Sequence, residues 1–449
     1  KVFRGVDIFV DPVRIYPQVP LAGHTIGYVG RRDWDDDESK PYHYYLPDIE
    51  GRAGIERVMD EALSGKAGGK LVRVDASGFK YDEQVELDPE PGKDVMLTID
   101  VRIQRVVEEV LKGERGACVV MNPNNGDVLA IASSPAFDST VLRNSARYRA
   151  ALQDPGRPMF NRAIAGAYPP GSTFKPVVTI AALEAGLATA QTVLDCPGYY
   201  AVGESRFYCW RRTGHGPLDM RRSIEQSCNT YFIELGVNIG YERIYHMANA
   251  LGFGQSTGLG LLGESHGLLP DDAWKRRVHK DGWRVGDTCN ASIGQGFILA
   301  TPLQMAVFVS TIANGGSVMQ PRLMDDVGNV NGQVVNTMNW KDETLAVVRG
   351  GMLDVIHATT GSGRLAQVPQ FHMAGKTGSA EYGPRSNRKK YAWMIVYAPV
   401  ERPRYALALV IENALSGGRT AAPRIQRIME RVFEIERGVE PADAEGGEA

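Results

Sequence analysis

Ser172 and Lys175 lie three residues apart in the stretch YPPGSTFKPV, residues 168–177. The apolar, helix-like run that follows places the serine at or near a helix N-terminus and the lysine one turn further along the same face. A serine hydroxyl is a weak nucleophile unless a nearby base accepts its proton. A lysine can be that base when burial or a neighbouring cation lowers its pKa. The spacing therefore predicts a serine nucleophile with its own base.

Two further motifs strengthen this prediction, because a lone Ser-x-x-Lys pair equally describes a helix-capping serine beside an exposed lysine. Ser227-Cys228-Asn229 occurs in RRSIEQSCNTYFIELG, and KTGS, residues 376–379, occurs in FHMAGKTGSAEY. The ordered set Ser-x-x-Lys, Ser-Asp-Asn and Lys-Thr-Gly is the signature of penicillin-binding proteins and class A β-lactamases, and only the central aspartate is replaced here. A chance match of all three motifs in this order is improbable.

The chain resembles class B penicillin-binding proteins, the peptidoglycan D,D-transpeptidases, and most of all the penicillin-binding protein 2 branch that serves cell elongation. The likeness covers roughly residues 12–436. Besides the three motifs, four stretches carry it: AGHTIGYVG at 22–30, GRAGIERVMDEALSGKAGG at 51–69, GDTCNASIGQGFILATPLQMAVFVSTIANGG at 286–316 and AWMIVYAP at 392–399.

The resemblance implies a role for each residue of the first two motifs. Ser172 would attack the carbonyl of the penultimate D-Ala of a stem peptide and form an acyl-enzyme. Lys175 would accept the serine proton, and Ser227 would relay a proton to the departing D-Ala nitrogen. Asn229 would hold the amide backbone of the substrate. The acyl group would then pass to an amine of a neighbouring stem peptide, and a β-lactam would be trapped as a stable acyl-enzyme.

The third motif would bind the substrate carboxylate. By the same resemblance, Lys376 would lower the pKa of Lys175 and attract the carboxylate, and the hydroxyls of Thr377 and Ser379 would bind it. Gly378 would let the substrate backbone lie close to the strand, as an added β-strand does. Backbone N–H groups of Ser172 and Ser379 would form the oxyanion hole. Ser379 departs from the threonine of many relatives, but it also supplies a hydroxyl.

Two other functions share the acylated serine. A β-lactamase or D,D-carboxypeptidase would pass the acyl group to water, but the sequence identifies no deacylating glutamate. A β-lactam sensor or scaffold would keep Ser172 without making crosslinks, but no signalling domain is visible in this chain. Nitrocefin turnover distinguishes the first alternative from a transpeptidase.

Three cysteines and a histidine crowd into one short segment and could bind zinc. Cys196, Cys209, His215 and Cys228 form a complete set of four tetrahedral ligands, which predicts a closed structural site. Some penicillin-binding protein 2 members bind zinc through mixed Asp, His and Cys ligands, so Asp195 could replace Cys196. A disulfide or free thiols remain open alternatives. The other two cysteines, Cys118 and Cys289, are predicted to be core residues.

The elements that position these motifs predict an α+β fold. A helix capped by Asp100 and ended by Gly113 precedes a hairpin at GACVVMNPNNGDVLAIASS, and YAWMIVYAPVERPRYALALVIEN repeats the hairpin before a C-terminal helix. We expect residues 98–438 to form a transpeptidase (penicillin-binding, serine β-lactamase-like) domain with a central antiparallel sheet flanked by helices. Residues 1–97, which start in a strand-like KVFRGVDIFV, form an incomplete accessory domain of the pedestal or dimerisation type. Residues 439–449 are predicted to be a disordered tail.

Composition bounds the partners and the location. The chain has 449 residues and a formal net charge of -3, so nothing indicates a nucleic-acid partner. It contains no apolar run long enough to span a membrane. The resemblance implies a single-pass anchor upstream of Lys1 and a place on the extracytoplasmic (periplasmic) face of the inner membrane. It also implies peptidoglycan stem peptides and β-lactams as ligands, and a membrane glycan polymerase of the shape, elongation, division and sporulation (SEDS) family and elongation scaffold proteins as partners.

Overall fold

The computed structural model describes residues 13–18, 20–31, 49–66, 68–76, 80–140, 145–325 and 331–439. The helices in chain order are α1 Gly23–Ile26, α2 Gly54–Val58, α3 Asp60–Ser64, α4 Val101–Leu111, α5 Ser145–Gln153, α6 Lys175–Glu184, α7 Met220–Glu225, α8 Asn229–Ile239, α9 Tyr241–Ala250, α10 Asp272–His279, α11 Val285–Ala291, α12 Pro302–Asn314, α13 Asp342–His357 and α14 Ala422–Glu436. The strands are β1 Tyr28–Arg31, β2 Ile49–Ala53, β3 Gly69–Val74, β4 Lys80–Leu87, β5 Gly116–Met121, β6 Val128–Ser134, β7 Leu194–Cys196, β8 Tyr199–Val202, β9 Ser205–Tyr208, β10 Gly216–Leu218, β11 Ser317–Met319, β12 Val334–Thr337, β13 Ala374–Tyr382, β14 Lys389–Ala398 and β15 Tyr405–Ile411.

The chain divides into two compact units. The first contains residues 1–96, 136–159 and 260–262. Within it β1 pairs with β2 and β3 pairs with β4, both antiparallel. Gly54 has a positive φ of 61°, and a Cβ there would lie 2.5 Å from the Thr25 carbonyl oxygen, so only glycine fits this close approach. The strand expected at 1–10 lies outside the described residues.

The second unit contains residues 97–135, 160–259 and 263–449 and is built on a five-stranded sheet. The strand order is β13-β14-β15-β5-β6, and every neighbouring pair is antiparallel. Both predicted hairpins are confirmed, since β5 pairs with β6 and β14 pairs with β15. Residues 392–398 of β14 are all fully buried, which explains why this strand is a continuous apolar run and does not alternate.

Helices flank this sheet. The Asp100 carboxylate accepts a hydrogen bond from the Arg102 backbone N–H at 2.9 Å, which confirms the predicted N-cap of α4. Helix α4 packs on β6 and against α14, whereas α12 packs on β15, β5 and β14. The fold class predicted from the sequence is therefore confirmed for this unit.

The segment between the two hairpins is mostly helical, as expected, and also contains the small pairs β7/β10, β8/β9 and β11/β12. Cys118 and Cys289 are buried, in agreement with their prediction as core residues. No helix within the described residues is both long enough and apolar enough to cross a membrane. The tail beyond Val439 lies outside the described ranges.

Candidate active site

Ser172 lies in a tight turn directly before a buried helix. The turn, Gly171–Phe174, is a 3-10 turn that runs into α6 at Lys175, so the serine is one turn ahead of the α-helix and does not cap it. Gly171 has a φ of 57°, and its N–H donates to the Gly294 carbonyl at 2.8 Å. Pro176 occupies the first turn of α6, where a missing N–H costs little. This geometry holds the Ser172 side chain at the wall of a cleft.

Lys175 is fully buried and connects the first two motifs. Its ammonium donates to the Ser227 carbonyl at 2.7 Å, to Ser227 Oγ at 3.3 Å and to Asn229 Oδ1 at 2.8 Å. Burial lowers the pKa of Lys175 to about 8, although the negative charge of nearby cysteines opposes the shift. A lysine with this pKa is neutral in a useful fraction of molecules near neutral pH, as a general base must be.

The second motif turns sharply at Ser227, which has a left-handed φ of 55°. Cys228 then caps α8, and its sulfur accepts from the Tyr231 N–H at 3.5 Å. Ser227 and Asn229 line the cleft, whereas Cys228 points into the cysteine cluster behind it. The strained backbone at Ser227 therefore separates two neighbouring side chains onto opposite sides of the motif.

The third motif lies on β13, the edge strand of the sheet. Lys376 is fully buried and donates to the Thr377 carbonyl at 3.1 Å. Burial, and then the charge of Lys175, hold the pKa of Lys376 well below its usual range. Burial is the main cause of the lowered pKa of Lys175, whereas the sequence analysis attributed it to Lys376. Both lysines lie beneath the cleft, because neither is among the residues that line it.

Gly378 has a packing role in addition to the one expected. A Cβ there would lie 2.9 Å from the Pro170 carbonyl oxygen, 2.9 Å from Thr173 Cγ2 and 3.1 Å from Trp393 Cβ. The missing side chain therefore lets the nucleophile turn pack directly on β13. Gly378 also lines the cleft, and its predicted role beside a substrate backbone stays a prediction.

The cleft has a volume of about 450 Å³. Six of the predicted site residues line it, together with residues of neighbouring segments. The lining residues are Ser172, Trp210, Ser227, Asn229, Ile293, Gln295, Gly361, Ser362, Arg364, Leu365, Thr377, Gly378, Ser379, Lys390, Ser416, Gly418 and Arg419. Among these lining residues there are three exposed cations and no carboxylate. The cleft therefore favours an anionic ligand.

Sequence reasoning missed Ser362 and Gln295. Ser362 Oγ and Thr377 Oγ1 share a hydrogen bond of 2.8 Å, so two hydroxyls lie side by side at the cleft wall. Gln295 Nε2 donates to the Ser379 carbonyl at 3.4 Å. Ser379 Oγ in turn accepts from the Gly417 N–H at 3.1 Å. The GQG stretch was a signal for Gln295, whereas nothing in the sequence pointed to Ser362.

The free edge of β13 can accept an extended peptide. Among the described residues β13 pairs with β14 alone, so its other edge has backbone groups available to a ligand. Thr377, Gly378 and Ser379 belong to this edge strand and also line the cleft. A peptide added to the edge would pass close to Ser172, which lines the same cleft.

The predicted zinc ligands are brought together behind the second motif. The ligand atoms of Cys196, Cys209, His215 and Cys228 all lie within 4.8 Å of one another. His215 Nδ1 is 3.4 Å from the Cys196 sulfur and 3.6 Å from the Cys209 sulfur. Asp195 is exposed and outside this group, so Cys196 is the member that β7 contributes.

The donor set fits zinc better than a disulfide. The Cys209 and Cys228 sulfurs are 3.9 Å apart, far beyond a disulfide bond length of about 2.05 Å. The contact between the two thiols lowers the pKa of Cys209 and, together with burial, raises the pKa of Cys228, so the pair favours one thiolate that accepts from one thiol. Three sulfurs and one imidazole complete a tetrahedral shell and leave no position for water. Such a site would be structural.

Comparison with known proteins gives two family matches. Residues 116–430 match the description "Penicillin binding protein transpeptidase domain", and residues 1–97 match "Penicillin-binding Protein dimerisation domain".

Curated relatives and solved structures match over most of the chain. The peptidoglycan D,D-transpeptidase MrdA of Acinetobacter baumannii is 35% identical, over 93% of this chain and 66% of the relative, so the chain spans slightly less than two thirds of it. MrdA of Salmonella typhimurium is 34% identical, over 96% of this chain and 74% of the relative.

Three solved structures have the same fold. Pseudomonas aeruginosa PBP2 in complex with WCK 5153 has a TM-score of 0.81 and 32% identity, and the match covers 95% of this chain and 92% of that one. A complex between PBP2 and MreC from Helicobacter pylori has a TM-score of 0.84 and 30% identity, and the match covers 94% of this chain and 79% of that one. The structure described as "Structural coordination of polymerization and crosslinking by a peptidoglycan synthase complex" has a TM-score of 0.82 and 31% identity, and the match covers 96% of this chain and 77% of that one.

Proposed function

This chain belongs to the penicillin-binding protein family of peptidoglycan D,D-transpeptidases, and we propose that it crosslinks stem peptides through an acyl-enzyme on Ser172 during cell-wall elongation and rod-shape maintenance. One observation carries the proposal. A single cleft is lined by Ser172 and by Thr377, Gly378 and Ser379 of the edge strand, and the buried amine of Lys175 donates to Ser227, which also lines it.

The acylation step follows from this geometry. Ser172 Oγ attacks the carbonyl carbon of the penultimate D-Ala, and its proton passes to the neutral amine of Lys175. The C–N bond to the terminal D-Ala breaks, and a proton from Lys175 reaches the leaving nitrogen through the Ser227 hydroxyl, 3.3 Å from the lysine. An amine of a second stem peptide then attacks the ester, releases Ser172 and forms the crosslink. No cofactor enters either step.

Recognition of the donor peptide follows from the edge strand. The peptide adds to β13, and its terminal carboxylate meets the hydroxyls of Thr377 and Ser379 above the buried charge of Lys376. Asn229 holds the substrate amide, and backbone N–H groups of Ser172 and Ser379 stabilise the oxyanion. The cations that line the cleft support the choice of an anionic peptide.

Intact-mass analysis after incubation with benzylpenicillin tests the proposal. We expect one adduct per chain, located on the peptide that contains Ser172, that persists for many minutes. Absence of any adduct on folded protein would contradict the assignment of this cleft.

Hydrolysis is the weaker alternative, because the residues lining the cleft include no carboxylate that could activate water. Rapid, sustained nitrocefin turnover would favour a β-lactamase or carboxypeptidase. A β-lactam sensor or scaffold would form the adduct but fail to crosslink stem peptides in a reconstituted assay.

We also propose that Cys196, Cys209, His215 and Cys228 hold a structural zinc ion. Bound zinc would tie β7, the Cys209 loop and the start of α8 together. Because Cys228 stands between Ser227 and Asn229, the ion would fix the backbone that carries both side chains. Its contribution is to folding and positioning, and the reaction itself uses the side chains of the cleft.

Removal of one ligand is expected to loosen the second motif. Cys209→Ser should abolish one equivalent of zinc measured by elemental mass spectrometry, lower the Tm by at least about 5 °C, and slow acylation by penicillin about tenfold or more. Cys289→Ala is the matched control, since this buried cysteine lies outside the cluster and should leave the zinc content unchanged. The site would be disproved if purified wild-type protein contained no zinc and Cys209→Ser changed neither the Tm nor the acylation rate.

Membrane and partner assignments are further proposals. The similar PBP2 structures include a complex with MreC and a peptidoglycan synthase complex. We propose that this protein is anchored in the inner membrane, acts on its periplasmic face, where peptidoglycan lies, and works with a SEDS-family glycan polymerase and elongation scaffold proteins. The domain of residues 1–97 carries the partner surface, and residues 98–438 form the catalytic domain.

Deletion of residues 1–97 is expected to abolish capture of such partners while the remaining chain still reacts with penicillin. Pull-down with a SEDS polymerase or an MreC-type scaffold measures the first effect, and labelling with a fluorescent penicillin controls for folding of the rest. Unchanged capture by the truncated chain would place the partner surface elsewhere.

A further inference from the structure

The residues just before the nucleophile turn contact three neighbouring strands of the sheet, or the residue directly after a strand. The Tyr168 hydroxyl donates to Glu412 Oε1 at 3.0 Å, directly after β15. The Pro169 carbonyl accepts from Trp393 Nε1 of β14 at 3.0 Å. Pro170 packs against Gly378 of β13. Tyr168, Pro169 and Pro170 are therefore held in turn by β15, β14 and β13, which are neighbours in the sheet.

Two arginines hold the Glu412 carboxylate at the start of this series. Arg162 Nε lies 2.9 Å from Oε1, and Arg115 Nε lies 3.2 Å from Oε2. The Arg162 side chain is only 1% exposed and that of Glu412 is 13% exposed, so their charge-assisted contact is shielded from water, whereas Arg115 is 38% exposed. The Glu412 N–H also donates to the Arg115 carbonyl at 2.7 Å, which connects the ends of β15 and β5. The carboxylate is thus a fixed point on the sheet.

The surroundings of Tyr168 fix both its backbone and the orientation of its ring. Its backbone N–H and carbonyl both pair with Ala300 at 2.9 Å. Its ring lies edge-on to Tyr391 with centroids 4.9 Å apart. A Cβ at Gly166 would lie 2.6 Å from the ring, so this glycine makes room for the phenol. Burial raises the pKa of Tyr168, so the hydroxyl remains a donor to Glu412.

We propose that Glu412 and Tyr168 are positioning residues for the nucleophile, which rests on the proposed role of Ser172. Ser172 is only four residues beyond Tyr168, and its own turn is held by the Gly171 hydrogen bond to Gly294. Release of Tyr168 from Glu412 lets the Pro169–Pro170 segment shift along the sheet. A displacement of about 1 Å at a reacting atom can slow a reaction up to about a hundredfold. A merely structural ion pair would affect stability without this kinetic effect.

The kinetics of acylation test the proposal. We expect Tyr168→Phe to slow the acylation rate constant for benzylpenicillin about tenfold, while the dissociation constant of the initial complex changes less than twofold. Glu412→Gln should slow acylation at least as much, and Glu412→Asp should restore part of the loss. Tyr382→Phe is the matched control, because its hydroxyl donates to Asn413, next to Glu412, at 2.6 Å and has no contact with the turn.

Amide hydrogen exchange gives a readout that does not depend on acylation. Exchange of the peptide covering residues 168–175 should be faster in Tyr168→Phe than in wild type and unchanged in Tyr382→Phe. If acylation and exchange in Tyr168→Phe both match wild type, or if Tyr382→Phe slows acylation equally, the positioning role is wrong. A wild type that fails to react with penicillin would overturn the proposed function. The exchange comparison would still show whether the hydrogen bond between Tyr168 and Glu412 holds residues 168–175 in place.

Discussion

Ser172→Ala is expected to abolish the penicillin adduct and all crosslinking activity, while the protein remains folded with a Tm close to that of wild type. The side chain is half-buried at the cleft wall, and the turn that carries it is held by backbone contacts of its neighbours. Loss of one hydroxyl therefore removes the nucleophile without disturbing the fold. Intact mass after incubation with benzylpenicillin measures the first effect, and thermal unfolding measures the second.

The other cleft hydroxyls are hydrogen-bonded within the site, and we expect none of them to replace Ser172. Ser227 Oγ accepts from Lys175, Thr377 shares a hydrogen bond with Ser362, and Ser379 Oγ accepts from the Gly417 N–H. Ser416→Ala is the control: it removes a hydroxyl from the same cleft and should retain the single adduct. A stable adduct on Ser172→Ala would show that a different residue is the nucleophile.

The sequence predicted the parts of this site that lie within short motifs. Ser172 and Lys175 are one turn apart by the geometry of the backbone, and the hairpin of β14 and β15 follows from two apolar runs with a proline-containing turn between them. The grouping of Cys196 with Cys209, His215 and Cys228 also followed from residue types alone. In each case local chemistry is sufficient to specify the arrangement.

Contacts between distant segments could not be predicted in this way. Ser362 reaches Thr377 because its loop is held by the Glu225 carbonyl, at 3.3 Å from the Ser362 N–H, and by Gly418, where a Cβ would lie 2.4 Å from the Ser362 carbonyl oxygen. The packing of Pro170 against Gly378 was likewise not foreseen. Such contacts depend on tertiary packing, which one sequence does not reveal.

The two buried lysines illustrate the same limit in electrostatic terms. The sequence predicted that the pKa of Lys175 is lowered by burial or by a neighbouring cation, and the resemblance suggested Lys376 as that cation. Burial is the dominant cause for both side chains, because each is fully enclosed beneath the cleft. The degree of enclosure is set by the packing of α6, α8 and β13 around them, which only the structure defines.

Lys175→Met is expected to reduce acylation by penicillin at least about a thousandfold, since general-base catalysis typically contributes a factor of about a hundred to ten thousand. In wild type the acylation rate should rise with pH through about 8, because Lys175 accepts a proton only when neutral. Below this pH the protonated lysine cannot act as the base, so the rate should fall tenfold per pH unit. In Lys175→Met this dependence should vanish together with most of the activity.

Lys175→Met should change stability and activity in opposite directions. A lysine whose pKa falls from 10.5 to about 8 on folding destabilises the folded state by about 3 kcal/mol below pH 8, and this cost disappears as the pH rises towards 10.5. Lys175→Met removes the cost but also loses the hydrogen bonds to Ser227 and Asn229, worth about 1 kcal/mol each, so its Tm at pH 7 should equal or exceed that of wild type.

Lys275→Met supplies the comparison, because Lys275 is also buried but lies 2.5 Å from the Asp287 carboxylate and is not among the residues that line the cleft. Removal of this lysine leaves a partly buried carboxylate without its cation, so the Tm should fall while acylation persists. Opposite effects of the two substitutions would establish that Lys175 is kept for chemistry at the expense of stability. A large loss of Tm in Lys175→Met with normal acylation would instead make it a structural lysine and require a different base for Ser172.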